Sequence, residues 1–84
     1  MNALTYSKKA AKQLRKLQTA DSKMVRSECN KLVSMPNCAN VKALVNHEQQ
    51  YRLRVGNFRV FFDFDGAARI VSIEEVKKRD ERTY

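Results

Sequence analysis

Three arginines and a phenylalanine hold the most concentrated chemistry in this sequence. They are Arg52, Arg54, Arg59 and Phe61, within the run Tyr51-Arg52-Leu53-Arg54-Val55-Gly56-Asn57-Phe58-Arg59-Val60-Phe61-Phe62. A guanidinium is permanently charged, and its planar fork meets two phosphate oxygens at once. Gly56-Asn57 is a two-residue hairpin signal, because both residues tolerate the positive φ of such turns. With that loop, Val55 pairs with Phe58, Arg54 with Arg59, Leu53 with Val60, Arg52 with Phe61 and Tyr51 with Phe62. Directly paired residues share a face. One face then carries Tyr51, Leu53, Val55, Phe58, Val60 and Phe62, and the other carries Arg52, Arg54, Arg59 and Phe61. Like charges set directly opposite, as Arg54 and Arg59 are, destabilise a hairpin. Retaining them points to an anionic partner; the plainer reading is a solvated face with scattered cations.

The tail Val76-Lys77-Lys78-Arg79-Asp80-Glu81-Arg82-Thr83-Tyr84 offers a second bank of cations and a phenol. It reads either as a frayed charged terminus or as Arg79, Arg82 and Tyr84 folded beside the hairpin arginines. His47 and Glu48, just before the first hairpin strand, read as an exposed loop pair, with an acid–base pair as the alternative. Phe61 reads either as an open ring for a nucleobase or as a ring covered by packing.

The composition agrees with an anionic partner. The net charge is +8 over 84 residues, and the pI is about 9.9. Such basicity favours nucleic acid, an acidic protein or an anionic membrane surface. No apolar run approaches the ~20 residues that span a bilayer. Ser7 to Lys16 is polar and basic where a signal peptide needs an apolar segment, so the chain reads as cytoplasmic. Cys29 and Cys38 have no metal-ligand spacing and read as free thiols. One histidine and no Cys/His cluster argue against zinc. No nucleotide-binding glycine motif is present, and no cofactor is expected.

The elements that must position these residues follow from periodicity. Asn2 to Tyr6 reads as a first strand. Ser7 is a helix N-cap, and Ala10/Ala11, Leu14 and Leu17 recur at helical spacing from Lys8 to Leu17. After a short link, Thr19 or Asp21 caps a second helix with the stripe Val25, Cys29 and Leu32, extended by Met24, Val33 and Met35. Pro36 stops it. So short a link makes the pair an antiparallel helical hairpin. Asn37 to Gln50 reads as a linking segment, with Val41, Leu44 and Val45 under the sheet edge. After the central hairpin, Asp65-Gly66 signals a turn and Arg69 to Val76 a last strand. Strict alternation there would bury Glu75 and expose Val76. A bulge near Glu74-Glu75 returns Val76 to the core and turns Lys77 and Arg79 toward the basic face. The expectation is one α+β domain over residues 1–84, in the order β-α-α-β-β-β, with a helical hairpin on one face of a four-stranded twisted sheet.

Taken together, the hairpin run, Asp65-Gly66, Ile70-Val71-Ser72-Ile73, Lys78-Arg79-Asp80 and Tyr84 resemble the RelE/ParE toxin superfamily. The likeness is strongest to RelE-type toxins and covers nearly the whole chain. The hairpin is common to the superfamily, whereas the basic set is the more specific part. RelE-type toxins carry two basic residues, commonly lysines, at positions matched by Arg52 and Arg54. They carry an arginine after the turn, matched by Arg59, and a late arginine and tyrosine, matched by Arg79 and Tyr84. An arginine cannot be deprotonated at working pH, so a base role for the lysine pair does not transfer. The family often continues into a last helix, whereas this sequence ends at Tyr84.

The resemblance implies metal-free cleavage of mRNA in the ribosomal A site, with mRNA, 16S rRNA and a cognate antitoxin as partners. Operator DNA would be reached only through the antitoxin. The substrate 2′-OH attacks the adjacent phosphate and expels the 5′-oxygen. Such a reaction needs a proton acceptor, a phosphorane stabiliser and a leaving-group donor. Arg59 takes the second task with Arg52 and Arg54, and Arg79 adds charge stabilisation. Tyr84 is the candidate base or base-orienting group, with base stacking as the alternative. Lys77, Lys78, Arg82 and Phe61 complete the expected RNA-binding set. A ParE-like gyrase inhibitor and a noncatalytic RNA-binding or antitoxin-titrating protein are the competing readings.

Overall fold

The computed structural model describes residues 1–79. Arg82 and Tyr84 lie outside the described residues. The chain order is β1 (Ala3–Tyr6), α1 (Lys8–Lys16), α2 (Thr19–Asn30), a 3₁₀ turn (Lys31–Ser34), β2 (Val41–Ala43), β3 (Tyr51–Val55), β4 (Phe58–Asp65) and β5 (Ile70–Lys78). The strands form one sheet in the order β1-β5-β4-β3-β2. It is mixed: β1 runs parallel to β5 and the remaining pairs are antiparallel. The fold is the expected α+β arrangement, with five strands rather than four. The additional strand is β2, in the segment read as a linker. Its three residues are too few to show alternation, and they become a strand by pairing with β3.

Both helices cover one face. α1 packs on β5 and α2 on β3. Ala10, Leu14, Val25, Cys29 and Leu32 meet Leu53, Val55, Phe58, Val60, Phe62, Val71, Ile73 and Val76 in a single core. Phe62 is fully buried there, a burial that contributes about 1.5–3 kcal/mol. Met35 joins this core, whereas Met24 is exposed. Leu44 is half-buried, but Val45 is 85 % exposed, because the chain turns away from the sheet after β2. The second helix is capped by neither Thr19 nor Asp21. Its N-cap is Gln18, without a side-chain cap bond, and its α-helical part ends at Asn30.

The β3–β4 register follows the two-residue loop, with Val55 opposite Phe58 and Arg54 opposite Arg59. Gly56 alone of the loop takes a positive φ, 53°. The next turn is longer than its Asp65-Gly66 signal implied. Asp65 pairs with Ile70, and its carboxylate accepts from the amides of Ala67 and Ala68, both at 3.0 Å. The bulge falls at Glu74: Phe62 pairs with Ile73 and Phe61 with Glu75. Val76 is thereby 5 % exposed and in the core. α1 supplies the hydrogen bonds that this break in the ladder needs. Ser7 Oγ donates to the Glu74 carbonyl at 2.9 Å while accepting from the Ala10 amide at 3.0 Å. Gln13 Oε1 accepts from the Val76 amide at 2.6 Å. One residue thus both caps the helix and satisfies the bulge.

Candidate phosphate-binding face

The sheet face turned away from the helices is built from two register rows. Lys42, Arg52, Phe61 and Glu75 stand opposite one another across β2 to β5, and Arg54, Arg59 and Lys77 form the next row. Arg54 and Lys77 are exposed, whereas Arg52 and Arg59 are partly buried. Arg52 Nε is sealed from solvent without a hydrogen-bond partner, alone among the buried side-chain polar atoms of the described residues. An unpaired buried donor costs about 1–3 kcal/mol, so the face retains its cations at some expense in stability.

Glu75 answers part of this charge. Its carboxylate lies 3.3 Å from Lys9 Nζ and 3.6 Å from Lys77 Nζ. The strands thus bring Arg52, Arg54, Arg59, Phe61 and Lys77 together. Lys78 is not brought to them: it pairs with Phe58, whose side is the helix side, and is exposed at its margin. Arg79 ends the described chain beside the hairpin tip, where its amide donates to the Asn57 carbonyl.

Two residues join the face that sequence reasoning did not place there. Lys42 arrives opposite Arg52 because β2 pairs with β3; the pattern Val41-Lys42-Ala43 was its only signal. His47 arrives through the 44–50 loop. Its ring lies on Phe61, with centroids 4.8 Å apart and planes 14° apart. Phe61 is consequently 8 % exposed, with Lys77 Nζ 6.0 Å from its centroid. Asn46, at φ 57°, turns the loop, a backbone region that asparagine tolerates better than most residues. The loop is tied down by Leu44 N to Gln50 O at 2.8 Å, Gln50 N to Asp63 Oδ1 at 2.8 Å and Phe64 N to Gln50 Oε1 at 2.9 Å. The Gln49 amide donates to His47 Nδ1 at 3.2 Å, which places the proton of the neutral ring on Nε2.

Beyond this loop the face changes sign. A hollow of about 570 Å³ is lined by Glu48, Gln50, Asp63, Phe64, Asp65, Gly66 and Ser72. Its carboxylates, Glu48, Asp63 and Asp65, make this end of the face acidic. Chemically, the hairpin end can grip phosphate oxygens and stabilise added negative charge. Its arginines cannot take up a proton.

The family described as ParE toxin of type II toxin-antitoxin system, parDE, matches residues 4–83. No curated protein matches the chain. Among solved structures, the isolated Escherichia coli RelE toxin superposes with a TM-score of 0.81 at 15 % identity, covering 99 % of this chain and 89 % of that one. A chain of the archaeal RelE–RelB complex from Pyrococcus horikoshii gives 0.80 at 21 % identity, covering 95 % and 97 %. One from the Mycobacterium tuberculosis toxin–antitoxin complex RelBE2 gives 0.78 at 21 % identity, covering 93 % and 98 %. At these identities the superpositions establish a shared fold.

Proposed function

From the premise that the chain belongs to the ParE toxin family of type II toxin–antitoxin systems, within the RelE/ParE superfamily, we propose that it is a ribosome-dependent mRNA endonuclease. The observation that carries this reading is the cluster Arg52, Arg54 and Arg59 on one open sheet face, with Lys42 and Lys77 at its sides. In the reaction, the 2′-oxygen forms a bond to the adjacent phosphorus and the bond to the 5′-oxygen breaks. The 2′-OH proton passes to a base and the leaving oxygen gains one. The products carry a 2′,3′-cyclic phosphate and a 5′-OH. Arg59, flanked by Arg54 and Arg52, stabilises the phosphorane, and Arg79 supports it from the hairpin tip. Removing one such preorganised donor typically costs about 2.7–4 kcal/mol of barrier. Tyr84 is assigned the proton acceptor, because the arginines of the face cannot serve.

The partners are a cognate antitoxin, the ribosome and mRNA. Solved relatives are complexes of RelE with RelB, and an acidic antitoxin segment would neutralise the basic face. The ParE family match favours a second reading, inhibition of DNA gyrase on the same scaffold. Purified protein added to programmed ribosomes, with mRNA ends mapped by primer extension, tests the two alongside a supercoiling assay. A-site cleavage without supercoiling inhibition is expected; intact mRNA with inhibited supercoiling would establish the gyrase reading.

A further inference from the structure

The proton chemistry and the phosphate grip leave one group on the face unused, the His47–Phe61 stack. Phe61, the ring expected to meet a nucleobase, is 8 % exposed. The ring above it is exposed His47, parallel within 14°. The loop holding His47 is tied to β4 at Asp63 and Phe64, so the imidazole is held in place before any ligand arrives. Phe61 stands opposite Arg52, and Arg54, Arg59 and Lys77 fill the neighbouring row. A phosphate gripped by those cations therefore carries its nucleoside next to the imidazole. On the far side lie the carboxylates of Glu48, Asp63 and Asp65.

We infer that His47 is a base-stacking platform: an unpaired RNA base lies on the ring face opposite Phe61 while Arg52, Arg54 and Arg59 hold the adjoining phosphates. The inference rests on the RNA reading above and deepens it. Aromatic platforms accept any base, because every base has a π-face. The platform therefore adds affinity and orientation with little sequence preference. Phe61 backs the imidazole, and the bond from Gln49 to Nδ1 fixes the ring's rotation. Charged groups that face the ring region are Lys42 from β2, Arg52 and Arg54 from β3, Arg59 from β4, Glu75 and Lys77 from β5, and Glu48 beside it. The test is run at one fixed pH and ionic strength for every variant.

The experiment measures binding of the full-length protein to a short fluorescein-labelled oligoadenylate by anisotropy, and to the matching abasic oligomer. His47→Ala is expected to weaken oligoadenylate binding about tenfold and to leave abasic binding unchanged. His47→Phe keeps a ring without nitrogens and is expected to bind oligoadenylate within about twofold of the unaltered chain. Equal binding by His47→Ala, an equal loss on the abasic oligomer, or His47→Phe as weak as His47→Ala would each overturn the platform. So would failure of the unaltered protein to bind oligoadenylate. Because the readout is binding, a protein that shows the expected pattern but leaves ribosomal mRNA intact keeps the platform and refutes the cleavage reading.

Discussion

Arg54 stands directly opposite Arg59 across the β3–β4 hairpin, two guanidiniums on one exposed sheet face with no carboxylate in their row. Such a pair costs stability, and the proposed phosphate grip accounts for its presence. Arg54→Gln is therefore expected to stabilise the fold by about 0.2–1 kcal/mol in urea unfolding. The same change should weaken RNA binding and flatten its salt dependence by about one unit of slope. A variant that is less stable, or binds RNA with an unchanged slope, would show that the pair is not a phosphate clamp.

Ser7 ties the N-terminus of α1 to the bulge in β5. Ser7→Ala removes a helix cap and leaves the Glu74 carbonyl without its donor. Thermal or urea unfolding should show a loss of about 1–2 kcal/mol. Deleting Glu74 removes the extra residue, so that Ile73, Glu75 and Val76 alternate regularly against Phe62, Phe61 and Val60, with Val76 still in the core and Glu75 still on the open face. Its cost should therefore stay near that of losing the Ser7 tie, about 1–2 kcal/mol; a much larger loss would mean that Glu74 is not the surplus residue of the ladder.

The two thiols should behave differently. Cys29 is fully buried, and burial pushes its pKa up to about 11. Cys38 is partly exposed, with its Sγ donating to the Lys31 carbonyl at 3.3 Å; burial raises its pKa as well. A thiol reagent at pH 8 should modify Cys38 promptly and Cys29 only on unfolding. Mass spectrometry of the labelled peptides checks this.

Cys29 also predicts an alkaline limit. Its folded pKa lies above the ~8.5 of an unfolded thiol, so the stabilisation of its neutral form is complete below that pH and is lost as pH rises toward about 11. Burial raises the Tyr6 phenol too, with Cys29 beside it adding to the effect, and steepens the loss above ~10. Urea midpoints between pH 8 and 11 should fall for the unaltered chain and fall less for Cys29→Ala. Parallel slopes would remove the thiol from the explanation.

The sequence was most informative where local chemistry decides geometry. A two-residue Gly56-Asn57 loop leaves one register for its strands, and that register sorts core from cations residue by residue. The bulge was legible because Val76 and Glu75 break an otherwise regular alternation. β2 was not legible, since three residues show no period and its pairing with β3 is a long-range contact. Lys42 was missed with it. His47 was missed because a stack between a loop and a strand 14 residues later leaves no periodic trace. Lys78 was grouped with the RNA-binding cations, although the same alternation that turns Lys77 to the basic face leaves Lys78 opposite Phe58 on the other side. The fold was thus readable to its edges, and the cationic rows nearly so. The loop that completes the face required tertiary structure.

The central claim is that the arginine face cleaves RNA by in-line attack of the substrate's own 2′-OH. The most direct measurement programmes ribosomes with two mRNAs that differ by a single 2′-deoxy substitution at the cleaved A-site nucleotide, and maps ends by primer extension. The unaltered mRNA should be cut, leaving a 2′,3′-cyclic phosphate and a 5′-OH. The deoxy mRNA should remain intact, and Arg59→Ala protein should cut the unaltered mRNA about 10²–10³ more slowly. Cleavage of the deoxy mRNA at the same site, or an unaltered mRNA left whole by the unaltered protein, would contradict the account.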